Sequence, residues 1–460
     1  MIDKRSQNRD NRQMNCNCHP WTTLALLPIF FLPLAHADAD ADVLKLLDQG
    51  YQERAQVSLL RGAAVTLVSP DLQNGETAVG YGDATPDSLL EIGSISKSFT
   101  GISIALLSLQ KKIDLEAPIS NYIPEFKGTF IGTVTPHLLA THSAQLVRWF
   151  NGLDQASETQ LIAFLKNYRP DAQHPAGLRT YSNLGFATLS LVIRRVTHDT
   201  FKNFVSKNIF TPLKMNRSGF ADSPKAAAPL LQSYDILLRP IRVELIGDLD
   251  AGAGGIFSSA NDLLKFLKAN MKPESVPALS DAIRLSQKLG LGWDSMPGDN
   301  PTWKNGAMDG FGSLIKFDSV THVGAVVIVN SKNAVTAGSL CDIIVEKKDN
   351  FRADLIPAES ESLIGTYDSS DGLEIKVFMT KQGYLAVDKT KVNSSDHSFA
   401  RLRTFDQKVY TVYSGTSSTD HLRFADATSQ RKQIQYSSFV KSDSNNQATY
   451  TDKIFNLINK

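Results

Sequence analysis

The spacing of apolar residues changes at about Pro357, and this change strongly limits what the chain can fold into. Before this point apolar residues recur mostly at helical intervals, whereas after it short runs alternate between apolar and polar residues. Turn-forming residues separate these runs, which lie at residues 373–378, 384–387, 409–413, 421–424 and 433–440. We therefore predict an all-β unit over residues 351–460, a small barrel or sandwich.

The part of the chain before this change combines strand patterns at both ends with helical patterns between them. Its predicted strands are residues 61–68, 76–81, 313–317 and 323–329, and its predicted helices include 43–54, 260–271 and 335–347. Asn74-Gly75 between the first two strands is a strong hairpin signal. This order predicts a sheet that is split by a helical insert, with its edges supplied by both ends of the unit.

The overall charge excludes several kinds of partner. The chain has 460 residues, too many for one ordinary domain, with 48 basic and 47 acidic side chains. Because the net charge is close to zero, neither a nucleic acid nor an anionic membrane surface is expected as a partner.

The first 37 residues have the pattern of a secretory signal. A basic segment leads into an apolar run at 24–34, and Ala35-His36-Ala37 fits a small-x-small cleavage site. The run is shorter than the roughly 20 residues that span a bilayer, which favours cleavage over a membrane anchor. We expect a periplasmic or secreted chain that starts near Asp38 and has no stable membrane span, with Met14 as an alternative start.

No metal or cofactor is expected. Cys16 and Cys18 fall within the predicted signal, which leaves Cys341 as a packing cysteine. The histidines form no H-E-x-x-H pattern, and His137 and His142 are five residues apart, which does not suit a helical zinc pair. The glycine-rich segment 252–255 lacks the Lys-Ser/Thr ending of a phosphate loop, so we interpret it as a tight loop beside a cleft.

Ser94 and Lys97 form the first candidate catalytic pair. They are three residues apart at the start of a predicted helix. Its apolar residues recur at helical spacing and predict packing against a core: Phe99, Ile102, Leu106 and Leu109. A serine needs a base to become a nucleophile, and Lys97 can serve if burial or nearby cations lower its pKa. The plainer interpretation makes Ser94 a helix cap and Lys97 a solvated lysine, and S-x-x-K alone does not decide between the two.

Tyr181-Ser182-Asn183 is a second candidate segment. Its phenol can relay a proton between a nucleophile and a leaving group, and the Asn183 side chain can donate to a substrate amide. A tyrosine beside apolar residues is otherwise an ordinary packing residue.

Lys304-Asn305-Gly306-Ala307, at the start of a strand pattern, is the third candidate segment. Lys304 offers a cation to a substrate carboxylate, and Gly306 allows close approach of another backbone. The amides of Ser94 and Ala307 are candidate donors of an oxyanion hole.

Together, these segments resemble serine β-lactamases and penicillin-binding proteins, in the class C branch. The matching segments are LEIGSISKSFT at 90–100, LLATHSAQL at 138–146, YSN at 181–183, FTPLKM at 210–215, GLGW at 290–293 and KNGAMDGFGS at 304–313. The resemblance covers roughly residues 42–350. It implies an α+β fold with a β-lactamase/DD-peptidase-like antiparallel sheet flanked by helices and an all-α subdomain. It also implies that the C-terminal all-β domain is a small lipocalin-like barrel.

The domain boundaries expected from this resemblance are a signal peptide at 1–37, a hydrolase domain at 38–350 and a β-rich domain at 351–460. Within the hydrolase domain, the α/β part is expected at 38–100 and 290–350, and the helical insert at 101–289.

The resemblance also implies roles for single residues. Ser94 corresponds to the acylated nucleophile, Lys97 to its base partner and Tyr181 to the proton relay that activates water for deacylation. The residues expected to bind substrate are Asn183, Lys304, Asn305, Gly306 and Ala307. Two departures affect the cleft: Asn305 replaces a usual threonine, and His142-Ser143-Ala144-Gln145 replaces a more usual threonine-serine-glycine loop.

Four functions remain open at this point. The first is a D-alanyl-D-alanine peptidase that acts on peptidoglycan peptides and is acylated by β-lactams. Class C β-lactamases lack a tail like 351–460, whereas the resemblance associates such β-rich tails with D-amino-acid peptidases or esterases. The others are a class C-like β-lactamase, an esterase or D-aminopeptidase on the same scaffold, and an inactive binding or scaffold protein. The expected partner is therefore a small-molecule or peptide substrate, a D-alanyl peptide or a β-lactam, with peptidoglycan as its source.

Overall fold

The structure is a computed structural model. It describes residues 34–56, 60–171, 174–220, 230–243, 246–348, 363–369, 372–380 and 385–391, and strands at 398–403, 409–413, 420–424, 433–442 and 448–459. Most of the predicted signal, residues 1–33, lies outside the described residues, and residues 34–37 begin the first helix. The cleavage site therefore stays a prediction.

Helices in the described residues fall mainly in the first three quarters of the chain. They are α1 (Leu34–Gln56), α2 (Ser96–Leu109), α3 (Phe130–Thr133), α4 (Pro136–Ala140), α5 (Glu158–Asn167), α6 (Asn183–Thr197), α7 (Phe201–Val205), α8 (Ala251–Gly254), α9 (Ala260–Met271), α10 (Ser280–Leu289) and α11 (Ala334–Val345). The Ser259 side chain accepts a hydrogen bond from the Asp262 amide at the start of α9, as an N-cap residue does.

Strands occupy both ends of the described residues. They are β1 (Gly62–Val68), β2 (Glu76–Gly82), β3 (Leu90–Glu91), β4 (Ser233–Tyr234), β5 (Pro240–Ile241), β6 (Phe257–Ser258), β7 (Thr302–Met308), β8 (Phe311–Phe317), β9 (Gly324–Val329), β10 (Gly365–Asp368), β11 (Leu373–Met379), β12 (Leu385–Lys391), β13 (Ser398–Arg403), β14 (Val409–Tyr413), β15 (Asp420–Phe424), β16 (Gln433–Ser442) and β17 (Ala448–Asn459).

The main sheet has five antiparallel strands in the order β2-β1-β9-β8-β7. The predicted hairpin joins β1 to β2, and Gly75 in its turn has φ +72°, a conformation that glycine adopts without steric cost. One edge strand, β2, comes from the beginning of the hydrolase part and the other, β7, from its end. The predicted sheet, split by a helical insert, is therefore confirmed.

Helices cover both faces of this sheet. On β1, Ala63, Val65 and Leu67 pack with residues of α1 and α11, whereas Ala64 belongs to the core that contains α2 and α9. Because side chains alternate between the two faces of a strand, a strand covered on both sides is mostly apolar, and in β1 the one buried hydroxyl, Thr66, donates to the Ala260 carbonyl oxygen. Cys341 on α11 is free and buried in the first of these cores, as expected for a packing cysteine.

The C-terminal strands β10 to β17 form a closed antiparallel barrel in which each strand pairs with the next and β17 pairs with β10. On β11, Ile375 and Val377 are buried whereas Lys376 between them is exposed, so alternate residues face the inside. Closure leaves no free strand edge. The predicted small all-β barrel is confirmed, although the sequence pattern did not predict β10, β13 and β17.

Two local predictions need correction. Leu109, expected in the core, is 48% exposed because the last turn of α2 reaches the protein surface. Ser94 does not lie on α2 itself but in a 3-10 turn, Gly93–Ile95, that immediately precedes it. The domain boundaries given above remain predictions.

Candidate active site

The position of Ser94 depends on a tight turn between β3 and α2. Gly93 has φ +50°, and a Cβ atom there would lie 2.9 Å from the Ala307 amide nitrogen on β7. Glycine accepts this left-handed conformation and this close approach without steric cost. The turn thus holds Ser94 against the edge strand that carries Lys304.

The side chains of Ser94, Lys97 and Tyr181 meet at this turn. Ser94 Oγ lies 2.5 Å from Tyr181 Oη, and Lys97 Nζ donates a hydrogen bond to Ser94 Oγ at 3.1 Å. Both groups that the motifs predict as proton carriers are therefore within hydrogen-bond reach of the predicted nucleophile.

Lys97 is fully buried and its Nζ has three acceptors. Besides Ser94 Oγ, they are Asn183 Oδ1 at 2.7 Å and the Ala253 carbonyl oxygen at 2.6 Å. Burial lowers the pKa of Lys97, and the Lys304 charge adds to this effect. A carbonyl oxygen can only accept, so among these three partners the Ser94 hydroxyl is the one that can give a proton to a neutral Lys97 amine.

Tyr181 is surrounded by positive charge. Lys97 Nζ, Lys304 Nζ and the Arg148 guanidinium lie 4.8, 5.2 and 5.1 Å from its ring centroid. Burial alone would raise the pKa of Tyr181, but the charges of Lys97 and Lys304 outweigh it and lower the pKa from 10.0 to about 8. A phenolate, which is a strong base, is therefore accessible near neutral pH.

Lys304 is fully buried on β7 and forms an ion pair with Asp294. Its Nζ lies 2.6 Å from Asp294 Oδ1, and Asp294 Oδ2 accepts from the Asn305 amide at 3.2 Å. The Arg179 guanidinium is 3.7 Å from the same carboxylate. Asp294 thus balances part of the positive charge that Lys304 would present to a substrate carboxylate.

The remaining predicted residues lie on the same edge strand. The Asn305 side chain is exposed, and a Cβ atom at Gly306 would overlap the Ile92 carbonyl oxygen just before the Ser94 turn. The strand and the turn are therefore in backbone contact. This brings the segments that carry the amides of Ser94 and Ala307, the predicted oxyanion-hole donors, side by side.

Residues 54–343, well over half of the chain, match the family model described as Beta-lactamase. The chain belongs to the Beta-lactamase family. It is a serine hydrolase of the β-lactamase type, as the resemblance implied.

Individual relatives of this Beta-lactamase family member agree with the assignment. A β-lactamase of Yersinia enterocolitica is 27% identical over 308 residues, which cover 56% of this chain and 79% of the relative. The solved β-lactamase/D-alanine carboxypeptidase from Pseudomonas syringae has a TM-score of 0.59 at 21% identity, covering 65% of this chain and 98% of that one. A class C β-lactamase solved with cefoxitin has a TM-score of 0.59 at 22% identity, covering 66% and 98%. The structural likeness shows the fold alone.

The motifs of the Beta-lactamase family did not predict every residue that contacts this site. Asp294 directly follows the GLGW segment and lies ten residues before Lys304. This short distance was the sequence feature that could have suggested an ion pair between the two. The Ala253 carbonyl belongs to the glycine-rich segment, which lies beside the site as predicted but forms the short helix α8 instead of a tight loop. The contact of His142 with Tyr181 had no signal in the sequence.

The described residues show neither a metal site nor a membrane-spanning helix. Within the described part of the chain, no group of three or more His, Cys, Asp or Glu side chains is arranged to hold a metal ion. His137 instead pairs with Glu116 at 2.7 Å, and His142 is buried. Among the same residues, no helix combines the length and the apolar character needed to cross a bilayer.

Proposed function

We propose that this protein is a periplasmic acyl-serine hydrolase of the penicillin-recognising type that acts as a D-alanyl-D-alanine peptidase on peptidoglycan peptides. The observation that carries this proposal is the contact of the Ser94 hydroxyl with both Lys97 and Tyr181. A serine, a buried lysine and a phenol in hydrogen-bond contact supply the nucleophile, the base and the proton relay that acyl transfer requires.

In the acylation step, Ser94 Oγ attacks the carbonyl carbon of the substrate and its proton passes to the neutral Lys97 amine. The negative charge that develops on the carbonyl oxygen is met by the amides of Ser94 and Ala307. When the amide bond breaks, the departing D-alanine takes up the proton through Lys97 and Tyr181. An acyl ester on Ser94 remains.

In the deacylation step, water attacks this ester. The Tyr181 phenolate removes a proton from the water, and the resulting phenol passes this proton to the serine oxygen as it leaves. The lowered pKa of Tyr181 supports this role, because a base acts best when its pKa is near the working pH.

Substrate binding is assigned to the groups around this centre. The Asn183 side chain uses Oδ1 to accept from Lys97, which leaves its NH₂ group to donate to a substrate amide. Lys304 and Asn305 are proposed to face the substrate carboxylate, with Gly306 and Ala307 providing the strand along which the peptide lies. A β-lactam carries the same amide and carboxylate pair, so it is expected to acylate Ser94.

A class C-like β-lactamase is the second candidate, because the relatives found in the sequence comparison are named β-lactamases. The barrel favours the peptidase. The class C structures match over 96–98% of their own length but cover only 65–66% of this chain, and the family match ends at residue 343, before the barrel. The two functions differ in the speed of deacylation, which responds to misplacement of water by about 1 Å.

The proposal is tested by intact-mass spectrometry with a penicillin, together with an assay of D-alanine release from a D-alanyl-D-alanine pentapeptide. A lasting adduct and D-alanine release are expected for the peptidase. Rapid hydrolysis of the penicillin without a lasting adduct would instead identify a β-lactamase. A simple ester is tested as a third substrate, and turnover of this ester alone would identify an esterase. No reaction with the penicillin, the pentapeptide or the ester would identify a binding protein.

The proposed location rests on the signal pattern of residues 1–37. Fractionation of cells that express the full chain, followed by N-terminal sequencing, is expected to find a periplasmic protein that starts near Asp38. An uncleaved chain in the cytoplasmic fraction would overturn this location and leave the proposed reaction untouched.

A further inference from the structure

His142 lies beside the Tyr181 ring, in the loop that follows α4. It is only 2% exposed and follows α4 with φ +62°, an uncommon conformation for a residue other than glycine. Its imidazole packs against Tyr181 with ring centroids 4.4 Å apart and planes at 30°, and against Phe186 at 5.1 Å. The ring therefore fills the space behind the proposed proton relay.

His142 also holds the main chain on both sides of Tyr181. The His142 carbonyl oxygen accepts from the Thr180 amide at 2.8 Å, and His142 Nδ1 accepts from the Ser182 amide at 3.0 Å. One residue thus binds the residue before Tyr181, the residue after it and the ring between them.

The charge state of His142 follows from these contacts. A backbone N–H can only donate, so Nδ1 carries no proton and the neutral ring has its proton on Nε2. Burial lowers the pKa of His142, and the surrounding charges of Lys97, Lys304, Arg179 and Arg148 lower it further. A protonated ring would place N–H against N–H at Ser182, so the hydrogen bond requires the neutral form.

His142 Nε2 is buried and has no hydrogen-bond partner among the described residues. A buried donor without a partner is unfavourable, so this ring is stabilised by its other contacts rather than by a complete set of hydrogen bonds. Those other contacts are the ones to Tyr181, its neighbours and Phe186.

We propose that His142 is a positioning residue that holds the Tyr181 phenol against Ser94 and Lys97 and thereby sets the deacylation rate. This inference rests on the proposed function, in which Tyr181 activates water. The Tyr181 oxygen contacts Ser94 at 2.5 Å, and a displacement of about 1 Å in such a site can slow a reaction about 10²-fold.

Two substitutions separate the contributions of the ring and the acceptor. His142→Phe keeps an aromatic ring beside Tyr181 but cannot accept from the Ser182 amide. His142→Asn offers an amide oxygen as acceptor and is the conservative variant. Each is compared with the same variant carrying Tyr181→Phe, so that the difference in ultraviolet absorbance reports the ionisation of Tyr181 alone.

In His142→Phe the Tyr181 pKa is expected to rise from about 8 towards 10.0, because the phenol moves away from the Lys97 and Lys304 charges. Single-turnover deacylation is expected to slow about 10–10²-fold, with substrate binding unchanged. His142→Asn is expected to restore part of both values. Wild-type ionisation and wild-type deacylation in His142→Phe would overturn the proposal.

If His142→Phe does not fold, His142→Ala takes its place, because alanine also lacks the acceptor for the Ser182 amide. It is then compared with His142→Asn in the same way. The titration needs no substrate. A wild-type enzyme that is not acylated by penicillin would therefore overturn the proposed function, while the coupling between His142 and Tyr181 would still be measured.

Discussion

The ammonium of Lys304 lies 2.6 Å from the carboxylate of Asp294, directly beside the Tyr181 ring. Lys304 is fully buried, and the Asp294 side chain is only 10% exposed, so little water screens this pair. The charge on Asp294 therefore controls how strongly Lys304 stabilises a phenolate at Tyr181 and how strongly it attracts a substrate carboxylate.

Asp294→Asn and Lys304→Met are predicted to shift the pH dependence of deacylation in opposite directions. The active form of Tyr181 is the phenolate, so the rate is expected to rise with pH around the Tyr181 pKa of about 8. Asp294→Asn leaves Lys304 unbalanced and lowers this midpoint, whereas Lys304→Met removes a cation and raises it. Single-turnover deacylation across the pH range measures both shifts, and equal midpoints in the two variants would contradict the assignment.

Lys97→Ala is predicted to slow acylation by several orders of magnitude. General base catalysis alone contributes about 10²–10⁴-fold, and Lys97 also orients the Ser94 hydroxyl through their hydrogen bond. Stopped-flow acylation with a chromogenic substrate measures the effect. Lys268→Ala, on the exposed surface of α9, serves as the control that changes charge but not the site. Acylation by Lys97→Ala at nearly the wild-type rate would assign the base to another residue.

Glu91→Gln is predicted to stabilise the folded protein at alkaline pH. Glu91 is buried on β3, its Oε1 has no partner among the described residues, and burial raises its pKa from 4.5 to about 8. The folded protein therefore keeps a proton that the unfolded chain releases, so stability falls as pH rises from about 4.5 to about 8.

The glutamine cannot ionise, so Glu91→Gln should remove this part of the pH dependence. Urea unfolding at about pH 5 and about pH 9, on either side of this interval, measures it. The variant is expected to lose less stability than the wild type between the two pH values. An identical loss in both proteins would mean that Glu91 ionises freely in the folded state.

A chain that ends at residue 350 is predicted to keep its reaction with small substrates. Every residue assigned to the site lies between Ser94 and Ala307, and the main sheet is complete at Val329. We expect penicillin to acylate the shortened chain at a rate within about threefold of that of the full chain. Changes at distant sites that share no contacts usually have independent effects. If the shortened chain shows native circular dichroism but does not react, the barrel supplies part of the active site.

The fold was largely predictable because its signals are local. Apolar strands around Asn74-Gly75 and the serine cap at Ser259 encode their structures within a few residues. The sequence pattern did not predict three barrel strands, β10, β13 and β17. Of these, β10 and β17 pair with each other from opposite ends of the barrel sequence, a contact that no local pattern encodes. Leu109 was misplaced because a helical repeat does not reveal where a helix leaves the core.

The candidate site was predictable to the extent that its residues lie in short motifs. Ser94, Lys97, Tyr181, Asn183 and Lys304 come from three separated segments, and the structure brings them together. The partial neutralisation of Lys304 by Asp294 was not predictable, because the fold creates the contact between these two side chains. The same is true of His142, whose partners Thr180 and Ser182 are about 40 residues away along the chain.

The most direct test of the central claim is to locate the covalent bond. The full chain and its Ser94→Ala variant are each incubated with a fluorescent penicillin, digested and mapped by mass spectrometry. Acylation is expected at Ser94 in the wild type and nowhere in the variant, with circular dichroism confirming that both are folded. Labelling that persists in Ser94→Ala, or that maps to another residue in the wild type, would show that Ser94 is not the nucleophile.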